Sequence, residues 1–143
     1  MNFPKLYVVI MTGFLFSIYD SYAQDCLVVF DNPKIELTSL EKQMAPKEGR
    51  IYIAFESVFQ NDFVEMKVDN IVILNELIST DNTISLAKFK EIFVPKFSIE
   101  FLINKKIYIK LNKNKLRGYK NIYLNKVNDT IHVLVTNKPH FYK

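Results

Sequence analysis

From residue 50 onward, apolar and polar positions alternate one by one in stretch after stretch, the period of strands with one face buried and the other wet. In Arg50 to Phe59, Ile51, Ile53 and Phe55 share one face, and Tyr52, Ala54 and Glu56 share the other. Asp62 to Val68 turns Val64, Met66 and Val68 inward and Glu65 and Lys67 outward, and Asp69-Asn70 leads straight into Ile71 to Leu74. Asp and Asn tolerate positive φ, so this pair predicts a tight hairpin turn. A second hairpin is equally plain. Phe97, Ile99, Phe101 and Ile103 alternate up to Asn104-Lys105, and Ile107, Ile109 and Leu111 alternate away, with all four residues of the first set expected on the buried face. Tyr119 to Asn125 resumes the pattern with Ile122 and Leu124, and Asn128-Asp129 turns the chain. Thr130 to Thr136 then aligns Ile131, Val133 and Val135 before Pro139, which cannot donate to a ladder.

Other segments follow different rules. Thr38-Ser39-Leu40-Glu41 matches a capping box, which predicts a short helical turn ending near Met44, before Pro46. Ser85 to Val94 has Leu86, Phe89 and Phe93 at helical spacing, but Lys88 and Lys90 alternate about Phe89, and it reads as a strand. Lys113 to Gly118 reads as a basic loop. About seven strands joined by tight turns predict an all-β fold, an antiparallel β-sandwich of immunoglobulin-like or transthyretin-like type. An antiparallel barrel is the second choice, since the three glycines leave few corner-bending residues.

Ahead of this pattern stands a different one. Lys5 precedes an uncharged apolar run from Leu6 to Ile18, and Ser21-x-Ala23 supplies the small residues that signal peptidase accepts. The run meets Asp20 too early for a spanning helix, which needs about 20 predominantly apolar residues. Ala23, Gln24 and Asp25 do not suit lipid attachment at Cys26. Residues 1–23 therefore read as a signal peptide and 24–143 as a single domain, exported to the periplasm, the surface or the medium, with no transmembrane segment after cleavage. The intact mass of the exported product should correspond to a chain starting at Gln24; a mass retaining Met1 to Ala23 overturns this.

Charge sharpens the picture. Between Gln24 and Glu100 there are 13 acids and 8 bases, whereas Phe101 to Lys143 carries 10 bases and 1 acid. Lys105, Lys106, Lys113, Lys115, Arg117 and Lys120 are candidate contacts for an anionic surface, reached through long-range potential. A solvated face with edge-strand lysines that block aggregation accounts for the same residues. The abundance of lysine, asparagine and isoleucine suits an AT-rich bacterial source. With Cys26 the only cysteine, no internal disulfide can form and the fold must stand on packing.

Candidate chemistry is sparse. His132 lies mid-strand opposite the apolar phase, and His140 lies in a terminal segment of the kind that is commonly disordered. No Ser sits in a Gly-x-Ser-x-Gly elbow, and no zinc spacing or glycine-rich phosphate loop occurs. Glu56, Asp62 and Glu65 cluster about the Gln60-Asn61 turn, as carboxylates do beside polar turns. Asn128-Asp129-Thr130 matches a glycosylation sequon, relevant only in a eukaryotic source. Tyr108, Tyr119 and Tyr123, with Tyr52, are candidate aromatic contacts that would form one stacking platform; cross-strand packing is the alternative. The expected function is a noncatalytic binding or accessory module of the bacterial envelope or extracellular space. Neither an enzyme nor a cofactor is expected, and no specific nucleic-acid binding; the partner is an anionic envelope component or a protein. The alternative is a small inhibitor or immunity-type protein whose Lys113 to Gly118 loop enters a partner's cleft.

Overall fold

A computed structural model of the protein describes residues 26–142; the expected signal peptide and cleavage site fall outside them. Nine strands and two short helices follow one another as β1 (Cys26–Phe30), α1 (Ser39–Met44), β2 (Arg50–Phe55), β3 (Asp62–Val68), β4 (Ile71–Ile78), β5 (Lys88–Phe93), β6 (Ser98–Ile103), β7 (Ile107–Asn112), α2 (Lys113–Leu116), β8 (Asn121–Val127) and β9 (Thr130–Thr136). They form a five-stranded sheet in the order β1-β9-β8-β2-β5 and a four-stranded sheet in the order β4-β3-β6-β7. The expected alternation fills the space between them. Ile51, Ile53 and Phe55 from one sheet meet Val64, Met66, Ile99, Phe101 and Ile109 from the other in a single core, as a β-sandwich requires. Phe55 is its hub, with Phe59 and Phe101 set edge-on at ring separations of 5.8 and 5.9 Å.

Both predicted hairpins form. Asp69 and Asn70 have φ of 51° and 66°, and Asn104 and Lys105 have φ of 53° and 54°, paired positive values whose twist matches the strands; the first loop has two residues and the second three. Between β3 and β4 the register slips at Met66/Lys67, leaving Ile73 as a bulge. The capping box also forms: Thr38 Oγ1 accepts from the Glu41 N–H at 3.2 Å, and Glu41 Oε2 accepts from the Thr38 N–H at 2.8 Å.

Four expectations are corrected. The described residues form nine strands rather than about seven: Cys26–Phe30 makes β1, a short apolar run without the alternation that marked the others. The four-stranded sheet is wholly antiparallel, but the five-stranded sheet is mixed, because β1 runs parallel to β9 and β2 parallel to β8. Lys113 to Gly118 is no loop, since Lys113–Leu116 makes a helical turn pinned by buried Leu116. Phe97 is 72% exposed, while Ile99, Phe101 and Ile103 are fully buried. The reason is Asp69, whose carboxylate accepts from the N–H groups of Lys96, Phe97 and Ser98 at 2.8, 2.7 and 3.1 Å. That clamp starts the ladder at Ser98, so Phe97 falls beyond the end of the core.

Candidate functional site

The second phase of β2 and β8 was expected to face water, yet Ala54, Glu56, Asn121 and Tyr123 are all buried. Central strands in parallel pairing are commonly covered on both faces, and here the cover is the chain's own end. After β9, the segment Lys138–Tyr142 folds back over the outer face of the five-stranded sheet. His140 stacks on Tyr123 with ring centroids 3.6 Å apart and planes within 9°, and its backbone N–H donates to the Tyr123 hydroxyl at 2.8 Å. Far from being a loose end, His140 is a fixed part of the structure.

Beneath the segment lies Glu56. The β2–β8 register, which sets Phe55 beside Leu124, brings Glu56 next to Asn125. Asn125 Nδ2 donates to Glu56 Oε2 at 2.9 Å, while the Tyr142 hydroxyl donates to Oε1 at 2.5 Å and His140 Nδ1 lies 2.5 Å from the same oxygen. Asn125 Oδ1 in turn accepts from the Ser57 hydroxyl at 2.6 Å. Burial pushes the Glu56 carboxyl pKa up, but the hydrogen bonds from His140, Tyr142 and Asn125 outweigh it and hold the group below its ordinary value. The same burial, together with the Glu56 charge, pushes the Tyr123 and Tyr142 hydroxyls well above the ordinary tyrosine range. With about three of its four acceptor positions occupied, the carboxylate works as a latch rather than a free base.

A cleft lies on each side of the latch. One, of about 590 Å³, opens between the terminal segment and the turn at Thr83 to Ser85. The other, of about 240 Å³, lies between the segment and α1, lined by Met44, Tyr52, Asn121, Tyr123, His140 and Tyr142 among others. Lys138 ties the two flanks together through Glu41, at 3.9 Å.

The remaining sequence candidates are dispersed. The four tyrosines do not make one platform. Tyr52 and Tyr123 meet edge-on at 6.4 Å on the five-stranded sheet, and Tyr123 is only 1% exposed. Tyr108 lies on β7 in the other sheet, its hydroxyl donating to Glu100 Oε1 at 2.5 Å, and burial with that bond pushes its pKa up to about 12. Tyr119 packs on Phe30 and donates to the Asp31 carbonyl, a structural tether between α2 and β1. The basic residues divide in the same way. Lys105 and Lys106 lie in the β6–β7 turn, whereas Lys113, Lys115 and Arg117 stand at the opposite end of β7, whose six residues span about 20 Å. Lys120 begins the path into β8 beside Asn137, which accepts its N–H at 2.8 Å.

The carboxylates separate too. Asp62 is buried in its own network, accepting from Lys126 Nζ at 2.8 Å, Asn104 Nδ2 at 2.7 Å and the Gln60 N–H at 2.7 Å. Burial raises its pKa, but those bonds win and hold it low; the network joins the two sheets at the β6–β7 turn. Glu65 pairs with Lys67 at 3.3 Å on the wet face of β3. Among the described residues, no three His, Cys, Asp or Glu side chains gather as metal ligands, and no helix is long and apolar enough to cross a membrane.

The sequence matches no protein-family model and no curated protein.

A further surface went unnoticed in the sequence. Among the described residues β5 is an edge strand, paired only with β2, and its outer phase carries Phe89 and Phe93, both exposed. Phe89 stacks against Tyr52 at 5.7 Å, and the Arg50 guanidinium lies 3.6 Å over the Phe93 ring. The signal was present in Lys88 to Phe93, where Phe89 and Phe93 flank Glu91 on the phase opposite Ile92.

Proposed function

We propose that the chain is an exported, noncatalytic binding module of the bacterial envelope or extracellular space, and that its contact surface is the free edge of β5. One observation carries this reading: Phe93, on an edge strand that pairs with β2 on one side, is 69% exposed. Lys88, Lys90 and Glu91 put charge on this edge, yet Phe89 and Phe93 stay exposed beside them, and exposed aromatics on an edge strand favour a partner protein that adds an extended segment along it. The Glu56 cluster supports a role without chemistry, because the best-placed acid is engaged by Asn125, His140 and Tyr142.

We read the finer fold type as transthyretin-like. An immunoglobulin sandwich is built of antiparallel sheets, whereas the parallel β2–β8 pair here lies inside the five-stranded sheet. The inhibitor or immunity-type reading leaned on Lys113 to Gly118 as a projecting loop, and the anchoring of that turn by Leu116 removes its main support.

Phe93→Ser tests the contact. It should leave the fold intact, costing about 1 kcal/mol through the lost Arg50 stacking. In fractionated cells that export the protein, the native chain should travel with its partner in a complex larger than the monomer, and the variant should elute as the monomer. A native chain that elutes as a monomer, or a variant that elutes with the native complex, ends the proposal.

A further inference from the structure

Loops at the end of a sandwich are ordinarily polar and wet, because water serves the backbone groups that the ladders leave over. The loop between β5 and β6 departs from that rule. Phe97 is 72% exposed and Val94 is 45% exposed. Ile71, just past the Asp69-Asn70 turn on which this loop rests, is 67% exposed. A single apolar side chain in water needs no explanation, but three on neighbouring turns at one end of the molecule make a patch.

The N–H groups under this patch do not depend on water. That of Val94 donates to the Gly49 carbonyl at 3.0 Å, Pro95 has none, and those of Lys96, Phe97 and Ser98 all go to the Asp69 carboxylate. The Phe97 carbonyl accepts from the Lys113 N–H at 2.8 Å, and buried Pro95 anchors the loop from below. Such a loop can leave water without stranding a donor, which is the condition for entering the boundary of a bilayer. For the same reason it offers no free N–H to an added strand, unlike the edge of β5. The hydrogen bond to Lys113 also sets the start of α2 beside Phe97. The segments that meet here, 69–70, 94–97 and 113–117, hold four bases and one acid, Asp69. Those bases, Lys96, Lys113, Lys115 and Arg117, are all exposed, and in the nearby turn Lys47 and Glu48 cancel.

We propose that this end of the sandwich docks on an anionic phospholipid bilayer, with Phe97 and its apolar neighbours entering the headgroup boundary and the four bases lying against lipid phosphates. Binding of this kind adds apolar burial to attraction for anionic headgroups, so each part can be removed separately. The clamp by Asp69 holds the loop in one shape beforehand, which lowers the entropy lost on docking. The Phe97 loop makes no use of the β5 ladder edge, so it and the contact proposed there stand or fall separately.

The test is sedimentation of the chain, residues 24–143, with phosphatidylcholine vesicles that contain about one-third phosphatidylglycerol. The native chain should bind them saturably at about 0.1 M salt and lose most of that binding at about 1 M, where the Debye length is only about 3 Å. Phe97→Ser should bind about tenfold more weakly, and so should Lys96→Gln combined with Lys113→Gln. All three positions are exposed, so thermal unfolding should be unaltered in both variants. The chain has no tryptophan, so Phe97→Trp puts a single reporter in the loop, and its fluorescence should shift to the blue on these vesicles. A native chain that stays in the supernatant overturns the proposal and leaves the patch to a protein partner. Undiminished binding by Phe97→Ser overturns it too, because the attraction is then purely electrostatic. So does binding of Phe97→Trp without a blue shift, which puts the loop outside the bilayer, or equal binding to pure phosphatidylcholine, which leaves the four bases without a role.

Discussion

Phe101→Ala is expected to destabilise the protein by about 3–5 kcal/mol, the usual range for removing a large aromatic from a core. Phe101 is fully buried and presents its ring edge-on to Phe55, so truncation opens a cavity where the two sheets meet. Against a domain stability of about 5–15 kcal/mol, that is a large fraction, and it should lower the melting temperature by roughly 10–20 °C. Phe97→Ala is the control. It has the same residue type and the same phase of the pattern, but Phe97 lies beyond the core, and the change should stay within about 0.5 kcal/mol. Thermal unfolding of the pair decides the matter: a loss under about 1 kcal/mol at Phe101 contradicts the packing described.

The second large effect is expected at Glu56. Replacing it with Ala leaves the Tyr142 hydroxyl and the Asn125 amide without their acceptor; His140 is exposed enough to turn to water. At about 1 kcal/mol or more for each unmet group, the cost should be roughly 2–3 kcal/mol. The terminal segment should then become cleavable by protease around Lys138 while the sheets persist. Acid should imitate the mutation. Because Glu56 is held below its ordinary value of 4.5, its contribution is complete at neutral pH. It fades as pH falls below about 4.5 and is gone below the folded-state value. Glu41, Asp62 and Asp69 are also held low and add to the same acid limb. Glu56→Ala should therefore shrink the loss of stability between neutral and acid pH without abolishing it. An unchanged acid limb, or a terminal segment as protected as in the native chain, contradicts the latch.

What could be read beforehand depended on how local the cause was. The Asp69-Asn70 and Asn104-Lys105 turns and the Thr38–Glu41 capping box each rest on a few adjacent residues, and each formed as expected. The inward phase of β6 was legible from Ile99 to Ile103 for the same reason, while Phe97 was not, because its position is decided by Asp69, distant in sequence. Parallel pairing leaves no local mark, so the mixed sheet was invisible, and with it the burial of Tyr123 and Ala54 on the second face. The candidate site was least legible of all. Glu56 looked like a turn carboxylate and His140 like part of a loose end. Only the long-range return of the C-terminal segment brings them within 2.5 Å.

The parallel pairing of β1 with β9 has a consequence for how the protein reaches its folded state. Cys26 lies opposite Ile131, so the first described strand cannot be docked until the last has been made. Contacts so remote along the chain form slowly, because a long loop must close before it is rewarded. Translation supplies β9 last, and a polypeptide that starts its sheet with a strand awaiting the final one stays open longer while it is synthesised. Under the export proposed here, the sheet would be completed on the far side of a translocation channel, where β1 and β9 are present together.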